Sequence, residues 1–332
     1  MVDVAFNPHP LLCNPHLMTI VPALRYVPLH RQTPAPDAVL LDVAADSQVL
    51  LHCHLSQRKP EAPILLLVHG LEGSSSAPYL LSLTRKALAA GWGVVRMNLR
   101  NCGGTLHLTP TLYNAGMSAD VIAVADYIQS VTNSHSIFLV GYSLGGNVVL
   151  KAAAELAEGA ASRLAGVAAV SPALDLDASV TAIETGFNRF YEIRFLLGLK
   201  EKIRQKSALF PQRYDLEKLS KVRGLRSFDD LFTAPDAGYE GAAEYYKEAS
   251  ALTKLERIQI PTLIIAAQDD PIVPFHSFDS KYLQASPYVR LLAPLHGGHG
   301  GFINRSSNGG DSDRHWAENR VIDFCQQAAD LM

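Results

Sequence analysis

The stretch that most constrains this chain is Leu139-Val140-Gly141-Tyr142-Ser143-Leu144-Gly145-Gly146-Asn147. The apolar run Ile137 to Val140 before it predicts a short buried strand, and the Ala-, Leu- and Val-rich run Val148 to Glu158 after it predicts a helix. Gly-x-Ser-x-Gly in a strand–turn–helix context is the pattern of a nucleophile elbow. There the serine backbone must hold a strained conformation for its hydroxyl to stand clear of the sheet. A Cβ at Gly141 or Gly145 is expected to collide with the adjoining chain. The helix opening after Ser143 aims free N–H groups and a positive dipole end at the same spot. The pattern alone is weak, since a glycine-rich turn can carry an incidental serine. Its weight depends on partners elsewhere.

Flanking segments supply an alternation of elements. Val39 to Val43 and Val49 to Leu55 form an early hairpin around Ala45-Asp46-Ser47-Gln48, followed by a polar turn, Gln57 to Ala62. Ile64 to Val68 is wholly apolar and therefore buried on both faces, as in a parallel sheet. Strands at Val94 to Met97, Leu164 to Val170, Thr262 to Ala266 and Val289 to Leu292 alternate with helices at Tyr79 to Ala90, Ser118 to Ser130, Phe275 to Gln284 and Arg314 to Ala329. This βα repetition predicts a mostly parallel, doubly wound sheet with helices on both faces. It is interrupted from about Asp175 to Leu252. That stretch shows helical segments such as Ile193 to Gln205 and breaks at Pro211, Gly224 and Pro235, but no strand. The expected organisation is an irregular N-terminal arm (1–33), a core (34–174 and 253–332) and a helical cap insertion (175–252). Ser306 to Asp313 is a polar loop.

With 332 residues and 48% hydrophobic content, the chain can bury a large core. A net charge of −3 offers no electrostatic reason for nucleic acid or an anionic surface as partner. Cys13, Cys53, Cys102 and Cys325 have no paired spacing, which fits free thiols in a reducing compartment. No signal peptide is recognisable, and no apolar run approaches the roughly 20 residues of a membrane span. A cytoplasmic location is expected; the oligomeric state is left open.

A serine hydroxyl needs a base within reach, and the base needs an orienting group. In a doubly wound sheet both belong on loops at the carboxyl ends of strands. Two such loops stand out: Gln268-Asp269-Asp270-Pro271 and His296-Gly297-Gly298-His299-Gly300-Gly301. The order Ser, Asp, His is that of an α/β-hydrolase. Asp270, set against Pro271, is preferred to Asp269 as the carboxylate. His299, lying between glycine pairs that free its approach to the serine, is preferred to His296, which is expected to be structural. A metal held by His296 and His299 is disfavoured by the absence of nearby cysteines and by the glycines, which suit a flexible catalytic loop. No cofactor is implied. The oxyanion donors are expected at the N–H of Leu144 and the N–H of Leu71, in the loop His69-Gly70-Leu71-Glu72-Gly73. His69 is expected to bond the loop backbone, Arg100 to brace loops, Cys102 to be a packed thiol and Tyr245-Tyr246 to pack the cap. The Lys200 to Lys206 run is expected to be a solvated helix face.

These segments, together with Asn14-Pro15-His16-Leu17-Met18-Thr19-Ile20 and Asn98-Leu99-Arg100-Asn101-Cys102-Gly103-Gly104, occur in an order that resembles the YheT-like branch of the α/β-hydrolase superfamily, which includes ABHD1/ABHD3-type hydrolases. The resemblance implies a charge-relay triad of Ser143, Asp270 and His299 and carboxylesterase or lipase-like activity on a small ester or lipid-like substrate. Transfer of the acyl group to an alcohol, or a binding protein that kept the fold, are the alternatives.

Overall fold

A computed structural model of the chain describes residues 5–24, 35–56, 58–59, 61–134, 136–156, 164–307 and 310–331. Parts of the expected arm, of the Gln57 to Ala62 turn, of the end of the Val148 to Glu158 helix and of the Ser306 to Asp313 loop lie outside these residues.

Eight strands form one sheet in the order β1-β2-β4-β3-β5-β6-β7-β8. They are β1 (Asp37–Ala44), β2 (Ser47–His54), β3 (Ile64–Val68), β4 (Gly93–Met97), β5 (Ile137–Tyr142), β6 (Leu164–Val170), β7 (Thr262–Ile265) and β8 (Val289–Leu292). β1 and β2 pair antiparallel, as does β2 with β4, and every other pairing is parallel. The period-two geometry of a strand explains the unbroken apolar runs. Ile64, Leu66 and Val68 of β3 face one core, and Leu65 and Leu67 face the other, all five with zero exposure.

Helices fill both faces. They include α1 (Pro15–Ala23), α2 (Pro78–Ala89), α3 (Ser118–Thr132) and α4 (Leu144–Leu156). Between β6 and β7 come α5 (Leu176–Ile183), α6 (Arg189–Leu209), α7 (Leu225–Phe228), α8 (Ala234–Asp236) and α9 (Ala242–Ala249), followed after β7 by α10 (Lys281–Gln284) and α11 (Trp316–Ala329). Leu80 and Leu83 of α2 and Val321 and Phe324 of α11 pack on the Leu65/Leu67 side, whereas Val121 and Val124 of α3 and Val148 and Val149 of α4 pack on the other. Gly91, at φ +81°, ends α2 in the left-handed conformation that glycine adopts without strain.

Three local expectations need correction. The arm is not irregular where it is described. Asn14 caps α1 by accepting from the N–H groups of His16 and Leu17, with Pro15 at the first helical position. The helix expected from Phe275 to Gln284 is two short turns, Phe275–Phe278 and α10, because Asp279 leaves helical geometry and Ser280 caps the second. Pro235 does not break its segment. α7, a π-turn (Asp229–Thr233) and α8 run on continuously, and the π-turn closes with Ala234 N–H on the Asp229 carbonyl just ahead of the residue lacking an N–H. No helix among the described residues is long and apolar enough to cross a membrane.

Candidate active site

Ser143 lies between the end of β5 and the start of α4 with φ +53°, a strained value for a residue with a side chain. Its N–H donates to the Val170 carbonyl, 2.9 Å, which locks the turn to β6. The flanking glycines are required by contact. A Cβ on Gly141 would lie 2.3 Å from the Gly145 carbonyl oxygen, and one on Gly145 would lie 2.4 Å from that of His69. Those are backbone atoms that cannot swing aside.

Asp270 and His299 reach Ser143 from the loops after β7 and β8. His299 Nε2 is 2.9 Å from Ser143 Oγ, and His299 Nδ1 is 2.8 Å from Asp270 Oδ2. The Asp270 side chain is 1% exposed, and its other oxygen accepts from the N–H groups of Ile272 and Val273 at 2.8 and 2.9 Å. Both carboxylate oxygens of Asp270 are thus engaged, one by the backbone and one by the imidazole, which fixes the ring between Asp270 and Ser143.

The second carboxylate and second histidine of these loops pair with each other. Asp269 receives His296 Nδ1 at 3.1 Å and the Gly298 N–H at 2.9 Å, so it shapes the histidine loop. Two of the glycines around His299 serve a purpose beyond the one expected. A Cβ on Gly298 would lie 2.6 Å from the Pro15 carbonyl oxygen, and one on Gly301 would lie 2.0 Å from that of Met18. These two admit α1, while Gly300, at φ +72°, supplies a left-handed turn beside His299. Sequence reasoning missed two residues here. Thr19 of α1 accepts the His299 N–H at 2.9 Å, and Ser171 accepts the Gly300 N–H at 3.1 Å. The Asn-Pro pair at 14 and 15 was a readable helix start, but nothing local said where that helix would dock.

The loop after β3 approaches from the opposite side. The Gly70 N–H donates to the Tyr79 hydroxyl (3.0 Å) and the Glu72 N–H to the Tyr113 hydroxyl (2.9 Å). No hydrogen bond to the intervening Leu71 N–H is formed among the described residues. Leu71 and Leu144 line the same cavity wall as Ser143. His69 is wholly buried. Its Nδ1 bonds the Gly70 carbonyl (2.8 Å) and its Nε2 accepts the Leu99 N–H (3.1 Å). Burial pushes it down to about 4, so it stays neutral and ties two loops together.

Arg100 braces loops as expected, with a two-bond fork on Asp120 at 2.6 and 2.7 Å. Cys102 is buried and its thiol is pushed up to about 11, against nucleophilic use. The Lys200 to Lys206 run is not a solvated face. Lys202 sits 2.7 Å from Glu72 Oε1, and Lys206, with zero exposure, donates to Asn101 Oδ1 at 2.9 Å and to the Thr109 carbonyl. The i, i+4 spacing turns 198, 202 and 206 to one side of α6, and that side faces the loops after β3 and β4. Burial lowers Lys206 to about 8.

Ser143 lines a cavity together with residues of the 175–252 insertion. Its walls are largely apolar, with Leu176, Ile183, Phe195, Leu199 and Ile272 among them. Asp229 is a polar exception. It accepts from the Tyr246 hydroxyl at 2.7 Å, and burial pushes its carboxyl up to about 6. Tyr245 accepts the Ala115 N–H at 2.9 Å, so both tyrosines hold polar positions as well as packing. Outside this region Asp313, His315 and Glu318 gather ligand-type atoms, but the Lys86 ammonium already sits 2.7 Å from Asp313.

Comparison with known proteins agrees with this architecture. The α/β-hydrolase fold family matches residues 63–306. YheT of Escherichia coli (strain K12), which carries an esterase name, is 34% identical over 319 residues, covering 94% of this chain and 90% of that protein. Monoacylglycerol lipase of Saccharomyces cerevisiae is 29% identical across 74% of this chain, and human phospholipase ABHD3 is 27% identical across 73%. The chain spans little more than half of those two proteins, 56% and 59%. Among solved structures, Pyrococcus furiosus esterase Pf2001 superposes with a TM-score of 0.59 at 15% identity, covering 98% of both chains. The chain belongs to the α/β-hydrolase fold family, in the branch that holds YheT and the ABHD3-type proteins.

Proposed function

We propose that this protein hydrolyses carboxylic esters through an acyl-enzyme on Ser143. The reading is carried by the two-bond relay from Asp270 through His299 to Ser143, 2.8 and 2.9 Å, at the mouth of an apolar cavity. Ser143 Oγ attacks the ester carbonyl while His299 Nε2 takes its proton. The oxyanion receives the N–H groups of Leu144, at the α4 N-terminus, and Leu71. Collapse of the tetrahedral intermediate expels the alcohol, which takes the proton back from His299. Water, deprotonated by His299, then attacks the acyl-serine; collapse of this second tetrahedral intermediate releases the carboxylic acid, and His299 returns the proton to Ser143 Oγ. Asp270 stabilises the imidazolium at both stages.

The helical insertion, 175–252, acts as a cap that forms much of the acyl pocket. Relatives named as esterase, monoacylglycerol lipase and phospholipase support an ester with an apolar acyl chain as substrate. The test is Ser143→Ala assayed on a p-nitrophenyl ester. Loss of the nucleophile lowers kcat by about a millionfold. Turnover at the unaltered rate would reject the reading, as would failure of the unaltered protein to label with a fluorophosphonate.

A further inference from the structure

The described residues expose fifteen large hydrophobic side chains, and eight of them lie within 11–24 and 187–197. On α1 and its flanks these are Leu11, Leu17, Val21 and Leu24; on α6 and the turn before it they are Phe187, Phe190, Ile193 and Leu197. Leu17, Val21 and Leu24 follow i, i+4, i+7 spacing, and Phe190, Ile193 and Leu197 follow i, i+3, i+7, so each set forms one stripe. The two helices meet where His16 Nδ1 lies 3.1 Å from the Tyr191 hydroxyl and the His16 ring packs on Phe187 at 4.8 Å. A helix whose opposite face is already in the core, at Leu196, Leu199 and Ile203, has no structural need for a second apolar stripe.

Local charge, and not the net charge of −3, decides what this surface faces. Residues 4–36 contain no Asp or Glu. Between 185 and 200 the single carboxylate, Glu192, is 3% exposed and turned inward onto the Leu225 N–H. Arg189 and Arg194 are exposed beside the α6 stripe, Arg189 with its Nε 3.5 Å from Glu192 Oε2. Apolar side chains flanked by arginines and free of surface carboxylates match an acyl layer beneath anionic headgroups.

We propose that α1 and the N-terminal half of α6 form a docking surface for an anionic lipid bilayer. The stripe enters the acyl boundary, and Arg189 and Arg194 meet the headgroups. α6 is then a wall one helix thick, with Phe190, Ile193 and Leu197 towards lipid and Phe195 and Leu199 towards the cavity. The other face of α1 carries Thr19 on the His299 loop, so the docked surface adjoins the reaction centre. Docking stands apart from the ester-hydrolase reading, because vesicle binding is measured without turnover.

The test is co-sedimentation of the full chain with mixed phosphatidylcholine–phosphatidylglycerol vesicles and with pure phosphatidylcholine vesicles. The expected result is binding to the mixed vesicles, weakened by salt and by omission of the anionic lipid. Ile193→Asp/Leu197→Asp lowers partitioning by at least about tenfold, since each side chain forfeits much of an apolar transfer energy. The same variant keeps turnover of a soluble short-chain ester, which shows it folded. Absence of vesicle binding by the unaltered protein would overturn the proposal. So would undiminished binding by the variant, or a dimer that the variant dissolves while vesicles stay unbound, since a second copy would then cover the stripe.

Discussion

The Lys202 ammonium, on α6, sits 2.7 Å from the Glu72 carboxylate, in the loop after β3. Glu72 has φ +54° and immediately follows Leu71, the proposed oxyanion donor. Tyr113 closes the arrangement by donating to Glu72 Oε1 at 2.8 Å while accepting the Glu72 N–H. One turn before Lys202, Gly198 leaves room for the other carboxylate oxygen, since a Cβ there would lie 2.5 Å from Glu72 Oε2. An ion pair therefore holds a strained loop to the insertion.

Removing one partner is expected to cost catalysis more than binding. Lys202→Met and Glu72→Gln each lower kcat by about tenfold or more with KM little changed, because a displaced Leu71 N–H weakens a contact that matters most in the transition state. The double variant is no worse than the poorer single variant. Steady-state kinetics in a double-mutant cycle measures this, and additive losses would show that the two residues act separately.

Asp270→Asn is expected to lower kcat by about 10⁴ without unfolding the protein. Asp270 Oδ1 accepts two backbone N–H groups, so an asparagine turns its carbonyl there and its NH2 towards His299 Nδ1. That forces the ring proton onto Nε2, which can no longer accept from Ser143. A pH–rate profile with kcat near that of the unaltered protein would contradict the assignment.

Asn147 has zero exposure and joins three segments. Its amide donates to the carbonyls of Ala115 (3.0 Å) and Ala249 (2.8 Å), and its carbonyl accepts the Ala251 N–H (2.7 Å). Asn147→Ala leaves those backbone groups unpaired in the interior. Unfolding stability is expected to fall by about 3 kcal/mol, read from the urea midpoint. Loss of less than about 1 kcal/mol would mean that water takes over the three bonds.

Stability is expected to fall on acidification through the window from 6.5 to about 4. His69 is held neutral by burial, down to about 4, and His54 is lowered to about 4 by burial and by Arg96. The unfolded chain binds more protons in that window, so stability rises with pH and is lost as pH falls. For His69 the effect is roughly 3 kcal/mol at full extent, at 1.36 kcal/mol per pH unit. Asp229, raised to about 6 by burial, opposes this by taking a proton earlier when folded. His69→Gln is less stable at neutral pH, and its stability changes less on acidification. Denaturation curves across the window check both signs.

Reading the chain directly located the sheet, the strand-end loops and the residues that the geometry brings within hydrogen-bond distance of one another. These features are local. Fully apolar runs of five residues, glycines at contact-limited positions and an Asp-Pro turn each act over a few residues, so their meaning survives without tertiary context. The same method misjudged Lys202 and Lys206. A charge run is solvated by default, and only the docking of α6 on the loops after β3 and β4 supplied a carboxylate and carbonyls to receive the ammonium groups.

The elbow at Ser143, the order Ser, Asp, His and the parallel sheet were thus determined by the amino-acid sequence alone, because each rests on backbone geometry and hydrophobic periodicity within a short window. The seat of α1 against the His299 loop, the wall that α6 makes around the cavity and the apolar stripe on its far side were decided only by tertiary packing. They depend on contacts between residues far apart in the chain, such as Thr19 and His299, 280 positions apart, and no local pattern encodes which surfaces will meet.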